Sequence, residues 1–474
     1  MIKKLSLILA LILSATAITA CESKKPQTES EDVTETSSKE GEEALGVPED
    51  VRFDGETFSM LHCHNYFDDY YREEENGDLL NDAVIKRNRL TEERLGIKLN
   101  FVHSATATDQ QGETQRIANL ILAGDKTYDA YVQVQHSGMP GLINEGLFLN
   151  WYELPYIDFE KPWWYKNVIR DITFGDKVFA MTGDYNLASF SGSECLAFNK
   201  TLLDELDMEY PYQDVFDGTW THDRFVEYIV AATKDLNGDG QMDYDHDRYG
   251  FGGWQYEQLK ALYVGYGGVT LVKDDLQMPV LNIYSEQQTK VIDAMIDIFE
   301  YPGAFFHGVT YGIEDKMFEE GRLLFNDSFL YLIPGMRNYD DEIGFVPYPK
   351  LDEGQTEYYS RTPNISCLTY IPVTLEEDRY GVVGAALETM AYYSNREVLP
   401  TYFDIILTIQ STRDVESEQM IPIIRDSSRF MDQAIGFSPD SIVMSGQNTL
   451  ASHWAANKTS YEEKLATLIN VYCN

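Results

Sequence analysis

The feature that most constrains this chain is an alternation near its start. Residues 57–62 (TFSMLH) read as a strand, and HCHNYFDDYY follows as a loop. LLNDAVIKRNRLTEERLG reads as a helix with Gly96 as its stop, and IKLNFV as a second strand. A further helix carries Ile117, Leu120 and Ile121 at i, i+3, i+4 and closes at Gly124. Residues 128–134 (YDAYVQV) make a third strand. Strand–helix–strand–helix–strand is the pattern of a parallel sheet with helices on its faces. Ligands of such α/β sheets sit at the carboxyl ends of the strands. That places His62, Asn65 and Tyr66, and separately Gln133 and Gln135, near a candidate cleft.

The first 21 residues, MIKKLSLILALILSATAITAC, have the basic, apolar and small-residue order of a secretory signal peptide. The apolar run is shorter than the roughly 20 residues a spanning helix needs. With Cys21 directly after the small residues, the stretch resembles the lipobox of bacterial lipoproteins. The resemblance implies cleavage before Cys21, a diacylglycerol lipid on it, and a chain held at the extracellular face of the cell membrane. Residues 22–50 are rich in Glu, Ser, Thr and Lys and nearly free of large apolar groups, so they are expected to form a disordered spacer.

The whole chain has 474 residues, 43% of them hydrophobic and 13% aromatic, enough for two or three domains with cores. Its formal net charge of −41 repels phosphate backbones and excludes nucleic acid as a partner. Beyond Cys21 the cysteines are Cys63, Cys195, Cys367 and Cys473, with no C-x-x-C. Three disulfide pairings are open, as are buried free thiols. No second apolar run reaches spanning length, so membrane contact is expected through the lipid alone.

YDAYVQVQHSGMPGLINEGLFLNW resembles a strand–loop–helix of extracellular solute-binding proteins that serve sugar ABC transporters, with Tyr128-Asp129, Gly146 and Leu149-Asn150 at the matching places. FNKTLLDELDM, GTWTHDRFVEYIVAAT, MFEEGRLLFNDSFL and IGFVPYPK resemble later segments of the same family in the same order. Trp220, in the second of these, reads as a packing residue. The resemblance implies a two-lobed periplasmic-binding-protein-like fold of the class II type. Each lobe would be a mostly parallel sheet flanked by helices, with the ligand cleft between them. The expected division is a signal peptide over 1–20, lipidated Cys21 and tether over 21–50, a first lobe of 51–182 with 346–410, and a second of 183–345 with 411–474. Partners implied are a carbohydrate, the membrane permease subunits and the lipid anchor; a monomer suits closure and docking.

Sugar rings present C–H faces that stack on aromatic rings, while their hydroxyls need carboxylate and amide partners. Trp163, Trp164, Asp184 and Tyr185 offer that mixture where the family's chain crosses between lobes, as do Trp254 and Tyr256 further on. Neighbouring side chains point different ways, so the alternative is that the tryptophan pair includes a core residue. Asp327 stands at the end of a strand that, by the resemblance, enters the cleft. Peptides are the other candidate ligands, and His62-x-His64 keeps a transition-metal reading open. No G-x-S-x-G, H-E-x-x-H or P-loop occurs, so a surface glycosidase is the weaker alternative and no catalytic residue is assigned.

Asp235, Asn237, Asp239, Gln241 and Asp243 fit the D-x-[DN]-x-[DN]-G calcium-loop pattern, with Gly240 at the sharp turn. Position 12 is His246 in place of the bidentate glutamate, so this is no regulatory EF-hand. Either the loop holds a structural Ca²⁺ or it is an Asx-rich turn without metal. A calcium loop predicts that EDTA lowers the melting temperature and that calcium copurifies. An unchanged Tm without copurifying calcium refutes it.

Overall fold

The computed structural model describes residues 43–308, 312–362, 366–409, 415–430 and 434–473. The expected signal peptide, Cys21 and most of the tether lie outside them. In chain order the strands are β1 (Thr57–His62), β2 (Lys98–His103), β3 (Ala130–Val134), β4 (Glu194–Asn199), β5 (Tyr249–Trp254), β6 (Leu271–Lys273), β7 (Pro279–Leu281), β8 (Ala304–His307), β9 (Leu323–Phe329), β10 (Ile343–Val346), β11 (Ser360–Arg361), β12 (Cys367–Tyr370) and β13 (Ser428–Arg429).

The opening alternation folds as read. β1 lies between β2 and β3 and is parallel to both. The helix Leu79–Leu95 joins the first pair: the Asp78 carboxylate accepts from Asn81 N–H at its start, and Gly96 ends it at φ 68°. A left-handed residue there favours glycine, which has no Cβ to clash. The helix Gln110–Leu122 makes the next crossover. β12 completes this first sheet, antiparallel to β3.

The second sheet has the order β10-β4-β9-β5-β8. β5 is parallel to β8 and β9, while β4 is antiparallel to both β9 and β10. Four of its strands therefore share a direction and β4 alone is reversed. Each sheet has one reversed strand, and the cause is common to both. β4 and β12 are entered straight from the other lobe, so they start at the edge where the parallel strands end.

Two apolar cores correspond to the two sheets. The first gathers Phe58, Met60, Val132, Leu368 and Leu387, and the second Phe198, Phe251, Phe325, Ile292 and Trp220. The chain leaves the first core after Tyr185 and enters the second at Leu187; it returns between Tyr348 and Cys367 and leaves again between Ala391 and Leu399. The last helix, Leu450–Cys473, belongs to both: Tyr461 packs in the second core, Leu468 and Tyr472 in the first. β11 and β13 pair in parallel among these crossings. Cys63, Cys195 and Cys367 are buried free thiols and Cys473 is an exposed one. No described helix is long and apolar enough to cross a membrane.

Packing inside the first lobe corrects one expectation. Trp163 and Trp164 are not cleft residues: both are buried in the first core, at 0% and 2% exposure. Their indole N–H groups donate to Glu388, from Trp163 to Oε1 at 3.1 Å and from Trp164 to Oε2 at 2.7 Å. Asp158 N–H also donates to Oε2 at 3.3 Å. A large ring whose polar edge finds a buried acceptor can be interred whole. Glu388 stands on the helix Tyr380–Tyr393, which packs so closely that a Cβ on Gly384 would lie 2.1 Å from the Pro155 carbonyl oxygen.

Burial pushes the Glu388 carboxyl up to about 7, against the opposing pull of its three donors. A carboxyl raised on folding holds its proton longer in the native state than in the unfolded chain. Stability is then lost as pH rises from about 4.5 to about 7. Glu388→Gln removes that titration. Denaturant unfolding at a series of pH values is expected to show wild type losing stability relative to Glu388→Gln across this window. Parallel pH curves refute the assignment.

Candidate functional site

The parallel strands of the two sheets come near one another at their carboxyl ends, where Tyr66 after β1 and Tyr331 after β9 interact. From the first sheet, β1 runs out through Cys63 and His64 into Asn65, which is exposed, and Tyr66, which is half-buried. From the second, β5 ends at the half-buried Trp254, and Tyr256 follows at 41% exposure. On the neighbouring strand β9 ends at the half-buried Phe329, and Tyr331 follows at 40% exposure. The Trp254 and Tyr256 rings meet edge to face with centroids 5.5 Å apart. Phe329 and Tyr331 stack at 5.4 Å and 17°. Burial pushes the Tyr66 hydroxyl up to about 12, and the next contribution is the charge of Tyr331 from the opposite lobe. Two aromatic pairs thus stand at the ends of the neighbouring strands β5 and β9, and Tyr66 of the first lobe lies near one of them through Tyr331.

Carboxyl, guanidinium and amide groups are buried near these rings. At the start of β4, Glu194 accepts from Arg361 of β11: Nε donates to Oε2 at 2.8 Å and Nη2 to Oε1. The same Nη2 donates to Glu257 Oε2 at 2.5 Å. A forked guanidinium fits a carboxylate in this way because its N–H groups are coplanar. Asp327, inside β9, accepts from the Tyr348 hydroxyl at 2.5 Å and from Gln258 Nε2 at 3.0 Å. Burial first, and the Glu194 charge second, push the Asp327 carboxyl well above the usual range. Asp327 and Glu194 in turn act on the Tyr331 hydroxyl, which burial raises.

The remaining expected residues divide by position. His62 is fully buried against Tyr70 and Phe101, with centroids at 4.2 and 5.8 Å. Gln133 is buried and spends its amide on the Gln110 carbonyl and the Val134 N–H. Gln135 lines a small apolar cavity with Leu368, Leu468 and Tyr472. Asp184 is buried, bonded to Asn395 Nδ2 at 2.7 Å, and burial pushes it up to about 7. Tyr185 is buried, its hydroxyl donating to Thr369 at 3.0 Å. Of the expected residues, Tyr66, Trp254 and Tyr256 stand at strand ends and Asp327 acts on Tyr331, while Trp163, Trp164, His62, Gln133, Asp184 and Tyr185 are packing or crossing residues. Sequence reading missed Phe329 and Tyr331. Their signal was the two-residue alternation of β9 continuing past its end, which puts both on one side.

The two metal readings can be placed as well. His64 Nδ1 accepts the Tyr66 N–H at 2.9 Å, which takes one ring lone pair of the His62-x-His64 pair. In the acidic loop, Asp235 accepts from the N–H groups of Gly238 and Gly240, Asn237 from that of Asp239, and Asp239 from that of Gln241. Asp247 accepts from the N–H groups of Leu236 and Asp243, which hold its carboxyl below the usual range. Gln241 and Asp243 thereby sit on a loop tied to Asp247. Among the described residues no group of three His, Cys, Asp or Glu side chains is arranged to hold a metal ion.

No protein-family model and no curated protein matches the chain. Solved structures do match. The ABC substrate-binding protein Lmo0181 from Listeria monocytogenes, in complex with cycloalternan, aligns at TM-score 0.50 and 15% identity, over 88% of this chain and 99% of its own. A cyclo/maltodextrin-binding protein complexed with maltotetraose aligns at TM-score 0.53 and 14% identity, over 89% of this chain and 97% of its own. Two sheets flanked by helices, joined by several crossings and facing each other at their strand ends, give this chain the fold of those two-lobed binding proteins.

Proposed function

We propose that this protein captures a carbohydrate, an oligosaccharide, between its lobes and delivers it to the permease of an ABC importer. The observation that carries the reading is the two exposed or half-buried aromatic pairs Trp254–Tyr256 and Phe329–Tyr331 at neighbouring strand ends, with Tyr66 of the other lobe near Tyr331. Flat rings suit the C–H faces of successive sugars, and the carboxylates and amides nearby suit hydroxyls. The shared fold supports it, since the proteins that match are binding proteins with cycloalternan or maltotetraose bound. No catalytic step is assigned. A ligand that touches both lobes favours the closed arrangement by its extra contacts there. Isothermal titration against an oligosaccharide panel is expected to give saturable heat. Trp254→Ala and Tyr331→Ala should each weaken binding about tenfold or more, the equivalent of about 1.4 kcal/mol. Heat with peptides or Zn²⁺ alone sinks the sugar reading, and hydrolysis of a panel member revives the glycosidase.

The same reading extends to location. Cys21, in its lipobox-like setting, is proposed to carry a diacylglycerol lipid, with the tether of residues 22–50 as the spacer between membrane and lobes. The spacer is shortened at its end, where Val47 is buried in the first core and Arg94 donates to the Val47 and Pro48 carbonyls. The protein then acts as a monomer at the outer face of the membrane, beside its permease. Cys21→Ser is expected to move it from the membrane fraction into the medium; unchanged fractionation refutes lipid anchoring. Calcium in the Asp235–Asp243 loop belongs to this proposal as a structural ion, supported by the all-oxygen donor order of the loop.

A further inference from the structure

Away from the aromatic pairs, a cavity of about 330 Å³ lies against the crossing strands. Its walls come from three places. Arg170, Asp171 and Phe174 stand on or just after the helix Lys166–Ile172, which packs with the first lobe. Lys273 stands on the β6–β7 hairpin, which follows a helix of the second core. Tyr359 immediately precedes β11, and Arg429 is a residue of its partner strand β13. Tyr66, Trp254 and Tyr331 are absent from its lining.

The charge of this cavity runs against that of the molecule. The chain carries 78 acidic and 37 basic residues, yet three of the four charged groups that line the cavity are cations. The one carboxylate is already engaged. Asp171 accepts from Arg170 Nε at 2.8 Å, from Arg429 Nε at 3.1 Å and from the Phe430 N–H at 2.8 Å. It therefore aligns the two guanidiniums and has little capacity left for a third cation. The Arg429 guanidinium lies over the Tyr359 ring at 4.7 Å. Lys273 makes no ion pair with any described carboxylate; its ammonium stands 5.7 Å from the Phe174 ring centroid. Burial holds the Lys273 ammonium below the usual lysine range, Asp171 opposes, and Arg170 and Arg429 add to the lowering. Glu357 acts on Arg170 but does not line the cavity.

A cavity that concentrates cations with too few anions is completed by an anionic guest. We propose that the space between Lys273, Arg170 and Arg429 is a binding site for a small oxyanion of the phosphate type, distinct from the carbohydrate cleft. Two guanidinium edges and an ammonium supply donors in a geometry that suits several oxygens on one centre. The guest would touch the first-lobe helix, the second-lobe hairpin and a crossing strand at once. Its binding is therefore coupled to how the lobes are arranged.

The test is titration of the purified protein with inorganic phosphate at constant ionic strength, by calorimetry and by melting temperature, with chloride and succinate as parallel arms. Saturable phosphate binding with a raised Tm is expected, and Lys273→Ala should weaken it at least tenfold. Lys273→Arg, which keeps the charge, should retain it. Among the described residues the Lys273 side chain makes no hydrogen bond or ion pair, so both variants are expected to fold; circular dichroism checks this. No phosphate binding, an equal response to chloride, binding of succinate but not phosphate, or unchanged affinity in a folded Lys273→Ala each overturns the proposal.

Discussion

The guanidinium of Arg87 is the point on which the lobe junction depends. It is fully buried on the helix Leu79–Leu95. Nη1 donates to the Tyr185 carbonyl at 3.3 Å and the Ser394 hydroxyl at 2.9 Å; Nη2 donates to the carbonyls of Asp69 and Tyr70 at 3.1 and 3.0 Å; Nε donates to Asn88 at 2.7 Å. Tyr185 and Ser394 belong to two separate crossings. One side chain of the first lobe thus fixes where the chain departs towards the second, twice. Burial lowers this guanidinium to about 10, so it keeps its charge at neutral pH. Carbonyl and hydroxyl dipoles satisfy that buried charge in place of a contacting carboxylate, which is why its surroundings must be so completely ordered.

From that junction the strand directions follow. A strand reached through a helix over the sheet face runs towards the facing edge, and a strand reached directly from the other lobe starts there and runs away. β4 and β12 are the two strands of the second kind. Their starts carry groups to the facing edge: Glu194 opens β4, and the Cys367 carbonyl at the head of β12 accepts from Asn186 Nδ2 at 2.7 Å and from the Ser189 hydroxyl at 2.8 Å. The reversals therefore supply polar groups beside strand ends that supply aromatic ones.

This also explains what could be read in advance. The crossovers around β1, β2 and β3 were legible because helix caps and apolar spacing are local signals, as Asp78 and Gly96 show. The carboxyl-end rule pointed to Tyr66 and the aromatic reading to Trp254 and Tyr256, and all three stand at strand ends. The aromatic reading erred with Trp163 and Trp164 because nothing local reveals that Glu388, more than 220 residues on, receives both indoles. Tyr185 and Asp184 were misplaced for the same reason, their partners Thr369 and Asn395 lying 184 and 211 residues on. Burial of a polar aromatic edge is decided by a long-range acceptor, and composition around the ring carries no trace of it.

The last helix bears on how such a molecule can move. Residues Leu450–Cys473 make a rod roughly 36 Å long at about 1.5 Å per residue. Leu450 at its start and Tyr461 at its middle seat it in one core, while Tyr472 seats its end in the other between the edges of Phe174 and Phe179, with centroids at 5.0 Å to each. A stiff rod pinned near both ends resists stretching far more than rotation. It restrains the lobes from sliding apart while permitting them to swivel about its length, and so reduces their relative motion to something close to a single axis.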